Sequence, residues 1–250
     1  MPALTKERQT QRHTWLDALR GLALLNMIAY HASWDIVYLL GADWPWFSGT
    51  GAHLWQQGIC RTFILLSGFC WCFSRRWLRH GVKVFAAGLL ITAVTLLFMP
   101  ENVVWWGVLT FLGAAGLLTG VLQPALRKIP PWAGLIAAYA MFALTKSVEW
   151  GTLAGRELPL WLYSGGHLSA FLGFPPRGFF STDYFPLLPW YFWFLMGYFL
   201  FHLWQPHEER LPLGSRPIPI LGWLGRNSLP IYLVHQPAVY AALMAFQWVT

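Results

Sequence analysis

The chain has 250 residues, of which 56% are hydrophobic and only 11% are charged. About a quarter of the residues of a soluble domain are charged, so this composition excludes an ordinary soluble protein and is typical of a polytopic membrane protein. The net charge of +7 would favour a nucleic-acid partner in a soluble protein. Here the basic side chains lie beside apolar stretches, so they indicate membrane topology and contacts with anionic lipid, and no nucleic-acid partner is expected.

The apolar stretches predict an all-α transmembrane helix bundle of about seven spans. In chain order the predicted spans are Trp15 to Leu40, His53 to Phe73, Val84 to Met99, Val103 to Leu122, Trp132 to Ser147, Leu187 to Trp204 and Trp223 to Trp248. Lys and Arg are concentrated in alternate connections, which predicts a cytoplasmic N-terminus and an extracytoplasmic C-terminus.

The sequence contains no heptads, internal repeats, low-complexity stretches or linkers. It therefore predicts a single membrane-embedded domain over residues 1–250. Met1 to Thr14 is a basic tail, and His207 to Arg216 is a charged inner loop. Gly165 to Pro186 is rich in Gly, Pro and aromatic residues, which predicts an outer, lid-like loop.

The three cysteines do not form a recognisable site. Cys60, Cys70 and Cys72 fall in one apolar segment, an odd number without the spacing of a metal site. They predict buried free thiols, with neither a disulfide nor a bound metal. Phosphate-binding loops, dinucleotide fingerprints and nucleophile elbows are also missing from the sequence, so motifs of soluble enzymes do not explain it.

The first predicted helix carries ionisable side chains through an otherwise apolar sequence. At about 100° per residue, four of them fall within one arc of about 60°, whereas Asn26 lies on the opposite face. The four are Asp17, Arg20, His31 and Asp35. An ionisable group inside a bilayer costs about 2.5 to 3.5 kcal/mol on insertion scales, so this stripe predicts the wall of a site or wet cavity. Pairing with other helices of the bundle is the alternative.

His31 and Asp35 are four residues apart, so in an α-helix the carboxylate can reach an imidazole nitrogen. Such a partner orients the ring and raises its basicity, as a general base requires. His31 is therefore a candidate catalytic base, and a histidine satisfied by packing within the bundle is the alternative.

The second predicted span adds a buried cation. Arg61 lies about 12 Å along the helix from its outer end, a depth at which an arginine usually meets an anion or a carboxylate. Binding of substrate or of a developing oxyanion is one interpretation, and pairing with Asp35 is the other. His53, Gln56 and Gln57 stand at the outer mouth of the same helix, where interfacial polar residues are common.

The last predicted span contains His235 and Gln236 directly before Pro237. Proline removes a backbone donor, so irregular backbone is expected beside the two polar side chains, which would then line a cavity. Arg226 and Asn227, near the inner end, either bind a phosphate-bearing donor or cap the helix at the interface.

Several short motifs follow one another in an order that resembles a known family. They are LDALRGLA at residues 16–23 with His31, TFILLSG at 62–68, WGVLT at 106–110, LPW at 188–190 and the His-Gln-Pro segment. Together they resemble the bacterial branch of the heparan-alpha-glucosaminide N-acetyltransferase catalytic-domain family. The chain departs from the lysosomal relatives in having fewer spans and no additional luminal domain, and Thr110 stands where many relatives have His.

The resemblance implies an integral membrane acyltransferase that moves an acetyl group from cytosolic acetyl-CoA to a sugar amine or hydroxyl on the far side of a bacterial plasma membrane. It also implies an essential histidine in the non-cytosolic region between the first two spans, a role for which His31 and His53 compete. Coenzyme A would enter from the cytoplasmic face. The residues expected on that side are Asp17, Arg20, Arg226 and Asn227, with Arg75 and Arg76 nearby.

Three further expectations complete the sequence-based interpretation. A proton-coupled or small-solute transporter could use the same polar stripe as a path, and a non-enzymatic membrane assembly factor is a third class. The expected partners are membrane lipid, acetyl-CoA and a glycan or amino-sugar acceptor, with a homo-oligomer as a further possibility.

Overall fold

The computed structural model describes residues 14–205 and 219–249, with side chains described as far as residue 245. The predicted tail, apart from Thr14, and the predicted inner loop His207 to Arg216 lie outside the described residues. Backbone contacts group the chain into two compact units. The first unit comprises Met1–Ile59 and Glu208–Thr250, and the second comprises Cys60–His207. A single domain over residues 1–250 stays a prediction.

The structure is predominantly helical, as the sequence predicts. The helices are α1 (Thr14–Trp34), α2 (Thr50–Trp71), α3 (Trp77–Phe98), α4 (Val108–Leu126), α5 (Pro131–Thr145), α6 (Gly166–Leu172), α7 (Leu187–Trp204), α8 (Pro219–Arg226) and α9 (Ser228–Val249). A π-helix, Asp35–Leu39, continues α1. Short 3₁₀ turns cover Pro45–Ser48, Pro100–Asn102, Val148–Trp150 and Leu160–Ser164.

A small hairpin departs from the all-α prediction. Strands β1 (Thr152–Leu153) and β2 (Arg156–Glu157) pair antiparallel, with Thr152 opposite Glu157. The connection is made by Ala154 and Gly155, both of which have positive φ, at 50° and 78°. Two such residues in succession give the two-residue turn whose twist matches a hairpin, and the strands are too short for their composition to reveal them.

Three of the described helices are long and apolar enough to cross a membrane, namely α3, α4 and α7. They correspond to the third, fourth and sixth predicted spans. Helix α5 has 15 residues, about 22 Å at 1.5 Å per residue, which is shorter than the hydrocarbon core of a bilayer. The count of seven spans and the orientation of the termini stay predictions.

Several predicted boundaries differ from those of the structure. Helix α3 begins at Trp77, seven residues before the predicted start at Val84, because a helix can continue through charged residues that hydropathy assigns to a turn. The last predicted span is divided at Asn227 into α8 and α9. The predicted loop Gly165 to Pro186 contains the short helix α6.

In the first unit, α1 packs along α8 and α9. Glycines bring the backbones of α1 and α8 into direct contact: Gly21 lies against the backbone of Leu221, and Gly225 lies against the carbonyl of Asp17. A Cβ atom on either glycine would overlap the opposing carbonyl oxygen. Close approach through small residues is the usual way in which helices associate in a membrane, where no difference in apolarity drives them together.

In the second unit, α3 packs on α4 and α5 packs on α7. Glycine again allows the close contact of α3 with α4, where Gly113 lies against the backbone of Phe85. The part of α2 beyond Ile59 packs on α7, where Gly68 meets the backbone of Phe194 and Gly197 meets that of Leu65. Trp71 Nε1 donates a 3.0 Å hydrogen bond to the carbonyl of Gly116, which joins α2 to α4.

Candidate functional site

The polar face of α1 lies where the helix meets α8 and α9. Asp17 is buried beside α8, and Asp35 is completely buried beside α9. Leu19, Leu22 and Leu25, on the other side of α1, are exposed. The predicted stripe is therefore the face that α1 presents to the other helices of the first unit.

The carboxyl group of Asp35 is held by α9 rather than by its own helix. Gln236 Nε2 donates a 2.8 Å hydrogen bond to Asp35 Oδ1, across 201 positions of the sequence. The predicted hydrogen bond between His31 and Asp35 is not formed between these described residues. The four-residue rule applies to α-helical geometry, and at Asp35 the chain changes to a π-helix, whose wider turn alters the spacing of side chains.

The ring of His31 packs against that of His235, with 5.0 Å between ring centroids and an angle of 58° between the planes. His235 is buried, and its Nδ1 lies 2.6 Å from the carbonyl oxygen of Tyr232. A carbonyl can only accept a hydrogen bond, so Nδ1 carries the proton and Nε2 of the neutral ring keeps a lone pair. The structure thus prepares Nε2 of His235 to accept a proton.

Three buried polar atoms at this place have no hydrogen-bond partner among the described residues. They are Asp35 Oδ2, Gln236 Oε1 and His235 Nε2. The amide oxygen and the unprotonated imidazole nitrogen are acceptors, and so is the oxygen of an ionised carboxyl group. A buried acceptor without a donor costs about 1 to 3 kcal/mol, so the cluster suits a ligand with N–H or O–H groups and disfavours an anion. We refer to His31, Asp35, His235 and Gln236 as the acceptor cluster.

The irregular backbone expected before Pro237 is not observed. Helix α9 runs from Ser228 to Val249 with Pro237 inside it. A proline inside a membrane helix is tolerated when surrounding groups compensate for the missing donor, and here the helical path is kept. His235 and Gln236 are therefore positioned by a regular helix.

A groove of about 540 Å³ runs along the first unit and reaches the acceptor cluster. Its walls are Ile28 of α1, Trp223 of α8 and one face of α9 that includes His235. Asn227 also lines the groove, but its Nδ2 donates a 2.9 Å hydrogen bond to the carbonyl of Trp223. The sequence predicts that Asn227 either binds a phosphate-bearing donor or caps a helix. Its side-chain amide binds a carbonyl of the preceding helix α8, which corresponds to the capping role.

The polar residues at the start of α2 do not join the acceptor cluster. His53 is exposed, whereas Gln56 and Gln57 are half-buried. No hydrogen bond or ring contact within the described part of the first unit links His53 to His31. The contact between α2 and α1 is made instead by Trp55, whose Nε1 donates a 3.2 Å hydrogen bond to Asn26 Oδ1. Asn26, predicted on the face opposite the stripe, thus has a role in packing.

Arg61 belongs to the second unit and is exposed. Its guanidinium carbon lies 5.6 Å from the ring centroid of Trp193, and Trp193 Nε1 donates a 2.8 Å hydrogen bond to the Arg61 carbonyl. Pairing with Asp35 is the alternative that the sequence predicts for Arg61. The hydrogen-bond donor to the Asp35 carboxyl group is Gln236.

Of the residues expected near the donor, Asp17, Arg20 and Arg226 are carried by the helix pair α1 and α8, whereas Arg75 and Arg76 belong to the second unit. Arg20 is half-buried, one residue before the contact glycine Gly21, and Arg226 is exposed at the end of α8. Arg226 Nη1 lies beside Gly222, where it would be 3.2 Å from an added Cβ. The two guanidinium groups are thus carried by the closely packed helix pair of the first unit.

The family model for heparan-alpha-glucosaminide N-acetyltransferase, catalytic, matches residues 12–237. The chain belongs to this family. The resemblance based on short motifs is confirmed, and the matched range includes the polar face of α1 and the acceptor cluster. No curated protein and no solved structure matches the chain.

Membership in the heparan-alpha-glucosaminide N-acetyltransferase family makes this chain a membrane protein of a transferase family, in agreement with the three long apolar helices found among the described residues. At Thr110, where many relatives have His, the side chain is fully buried, and its Oγ1 donates a 2.6 Å hydrogen bond to the Gly107 carbonyl. Thr110 therefore stabilises the first turn of α4. No group of three metal-ligating side chains occurs within residues 14–205 and 219–249.

Sequence reasoning missed two features of this family member. Asp183, between α6 and α7, accepts a 3.0 Å hydrogen bond from the N–H of Val108 through Oδ2 and so caps α4. Burial raises the pKa of Asp183 to about 6, while the hydrogen bond from Val108 acts in the opposite direction. The tautomer of His235 was the second, because it depends on the Tyr232 carbonyl. The Tyr232 carbonyl is only three residues away, but whether the His235 ring can bond to it depends on the side-chain rotamer, which the sequence does not specify.

Proposed function

We propose that this chain is an integral membrane acetyltransferase. It moves an acetyl group from cytosolic acetyl-CoA to an amine or hydroxyl of an extracytoplasmic acceptor, an amino sugar or glycan, in a bacterial plasma membrane. Membership in the family supports the transferase class. The observation that carries the proposal is the acceptor cluster, in which Nε2 of His235, in the Nδ1–H tautomer, and one acceptor atom each of Asp35 and Gln236 have no hydrogen-bond partner among the described residues.

The nucleophile of the acceptor substrate carries the N–H or O–H that the cluster lacks. For an amine, the nitrogen attacks the carbonyl carbon of the thioester, and the carbon–sulfur bond breaks. His235 Nε2 takes the proton that the nitrogen loses and returns it to the departing thiolate, so the products are an acetamide and free coenzyme A. The second N–H of the amine is donated to Asp35 or Gln236, which orients the nucleophile.

His31 is the second candidate for the base, because its ring packs on that of His235. His53 is less suitable, since its side chain is exposed and outside the acceptor cluster. Coenzyme A is a polyanion, so its phosphates are expected at the arginines of the α1–α8 contact, Arg20 and Arg226, and not at a cluster of acceptors. Stabilisation of the oxyanion by Arg61 or by a backbone dipole stays a prediction.

A proton-coupled transporter is the second candidate function. The observation that favours it is a completely buried carboxyl group, that of Asp35, in the same cluster as two histidines, an arrangement also found in proton relays within membranes. Uptake of a solute into proteoliposomes without covalent change of the solute would support transport and count against acetyl transfer.

The test is transfer of radiolabelled acetyl groups from acetyl-CoA to glucosamine by the full chain in nanodiscs. Replacing His235 with Ala should lower turnover by about 10² to 10⁴-fold, as expected for loss of a general base. His167→Ala is the matched control, because His167 is exposed in the second unit and should leave turnover unchanged. Correct folding of each variant is checked by gel filtration and thermal unfolding.

The two histidines of the acceptor cluster are separated by comparing their variants. Loss in His235→Ala with turnover retained in His31→Ala assigns the base to His235, and the reverse assigns it to His31. Full turnover in both variants contradicts the proposed site. The absence of labelled product from the wild-type protein at saturating acetyl-CoA, with glucosamine and with alkyl glucosaminides as acceptors, contradicts the proposed function.

A further inference from the structure

The groove of the first unit has almost entirely apolar walls. Ile28, Ile231, Val234 and Val239 supply aliphatic side chains, and Trp223 supplies an aromatic one. Its volume of about 540 Å³ lies within the range of about 300 to 1,000 Å³ that is usual for ligand sites. A free sugar needs several hydrogen-bonding groups in the wall of its site, and this wall does not provide them. A hydrocarbon chain needs only the apolar contact that the wall offers.

One side chain of this wall carries a polar atom without a hydrogen-bond partner among the described residues. The side-chain amide of Asn227 is engaged with the Trp223 carbonyl. His235 has only 8% of its surface exposed, and its Nε2 has no hydrogen-bond partner within the described ranges. The groove therefore runs along the side chain that carries the assigned base, while Nε2 itself lies below the surface.

The groove is also open along its length to the outer surface of α9. Val234 is 60% exposed and Trp223 is 55% exposed, although both line the groove. In a membrane protein, exposed apolar side chains on a helix contact lipid tails, so a chain can enter such a groove sideways from the bilayer. A ligand anchored in the membrane can thus reach His235 without leaving the membrane.

We propose that the acceptor substrate is lipid-linked: its hydrocarbon chain lies in the groove, and its amine or hydroxyl head meets His235, the member of the acceptor cluster that lines the groove. This proposal rests on the proposed acetyltransferase function. Lipid tails are as apolar as the groove, so the groove adds little affinity over the bilayer itself. Its contribution is to position the head against Nε2, which raises the rate of transfer.

The test compares methyl and dodecyl glucosaminide as acceptors for the full chain in nanodiscs, with acetyl-CoA as donor. The measured quantity is the ratio of kcat/KM for the dodecyl substrate to that for the methyl substrate. Ala238 lines the groove and is exposed, so Ala238→Trp fills the groove without placing a larger side chain in the buried core. Ala93→Trp, at an exposed position of α3, is the matched control.

Partition of the dodecyl substrate into the bilayer is the same for all variants, so only a change between variants reports on the groove. We expect Ala238→Trp to lower the ratio by about tenfold, because overpacking excludes the chain, and Ala93→Trp to leave it at the wild-type value. Equal ratios in the two variants would overturn the lipid-linked acceptor while leaving the acetyltransferase function in place.

A second measurement is independent of turnover. A single-chain lipid with a photoreactive diazirine in its tail is incorporated into the nanodisc, and the labelled peptides are identified after irradiation. Labelling of the half-buried groove residues Ile28 and Ile231 that is lost in Ala238→Trp and kept in Ala93→Trp supports the proposal. Labelling of these residues that is equal in both variants, or that is missing, overturns it. If the wild-type protein acetylates neither glucosaminide, the proposed function fails, and the photolabelling alone decides whether the groove holds a lipid chain.

Discussion

Replacing Gln236 with Leu tests the hydrogen bond that holds the buried Asp35. The side chain of Asp35 has no exposed surface, and its Oδ1 accepts a 2.8 Å hydrogen bond from Gln236 Nε2. Its other oxygen, Oδ2, has no partner in the described part of the chain. A hydrogen bond to a charged group contributes about 1.5 to 3 kcal/mol, and a buried polar group left without a partner costs about 1 to 3 kcal/mol. We therefore expect Gln236→Leu to lower the free energy of unfolding by about 3 kcal/mol.

The double variant supplies the sharper comparison. Asp35→Leu combined with Gln236→Leu replaces both partners with apolar groups, which is often close to neutral. The coupling energy between the two sites should therefore be at least about 1.5 kcal/mol. The assay is unfolding of the purified protein in mixed micelles with increasing dodecyl sulfate, followed by tryptophan fluorescence. Gln123→Leu, at a half-buried glutamine of α4, is the control.

Two results would refute this reasoning. One is a loss in Gln236→Leu that does not exceed the loss in the Gln123→Leu control. The other is strict additivity of Asp35→Leu and Gln236→Leu, since residues that share a hydrogen bond must couple. Either result would mean that the two side chains do not stabilise each other in the folded protein.

Two further predictions concern packing and pH. Gly225→Ala places a Cβ on the Asp17 carbonyl and should lower the free energy of unfolding by about 1 to 3 kcal/mol. In the control Gly222→Ala the added Cβ meets only the flexible end of the Arg226 side chain, so the free energy of unfolding should change by no more than about 0.5 kcal/mol. Equal effects of the two variants in the same unfolding assay would contradict the close contact of α1 with α8. Burial raises the pKa of Asp183 to about 6, so its protonated form is favoured in the folded state. The stabilisation by protonated Asp183 is complete below the pKa of the unfolded state, about 4, and is lost as the pH rises through about 6. The thermal midpoint of the wild type should therefore fall over that pH range, and that of Asp183→Asn should fall less. A pH profile of the variant that equals that of the wild type would count against this role of Asp183.

The structure also relates the stability of the site to its proposed chemistry. Gln236 is adjacent to His235 on a regular helix, and its amide binds the carboxyl group of Asp35 on the segment that follows α1. The same hydrogen bond that should stabilise the first unit therefore sets the position of Nε2 relative to α1. Variants of Gln236 are expected to affect unfolding and transfer together, whereas variants of His235 should affect transfer more than unfolding.

The sequence by itself determined the class of the protein, most of its helices and its family. These follow from properties that act over short stretches: apolar composition, the helical period that puts Asp17 and Asp35 on one face of α1, and motifs that keep their order along the chain. The cost of placing charge in a bilayer was sufficient to predict that this face is turned inward.

Only the tertiary structure decided the partners of the polar residues. Spacing along a helix relates His31 to Asp35, but the π-helix at Asp35 changes that spacing, and α9 brings Gln236 and His235 to the two side chains from the far end of the chain. Such contacts depend on how helices pack, and the glycines that allow α8 to meet α1 have no local signal that names their partner. The sequence therefore indicated which residues belong to the site, and packing determined which of them meet.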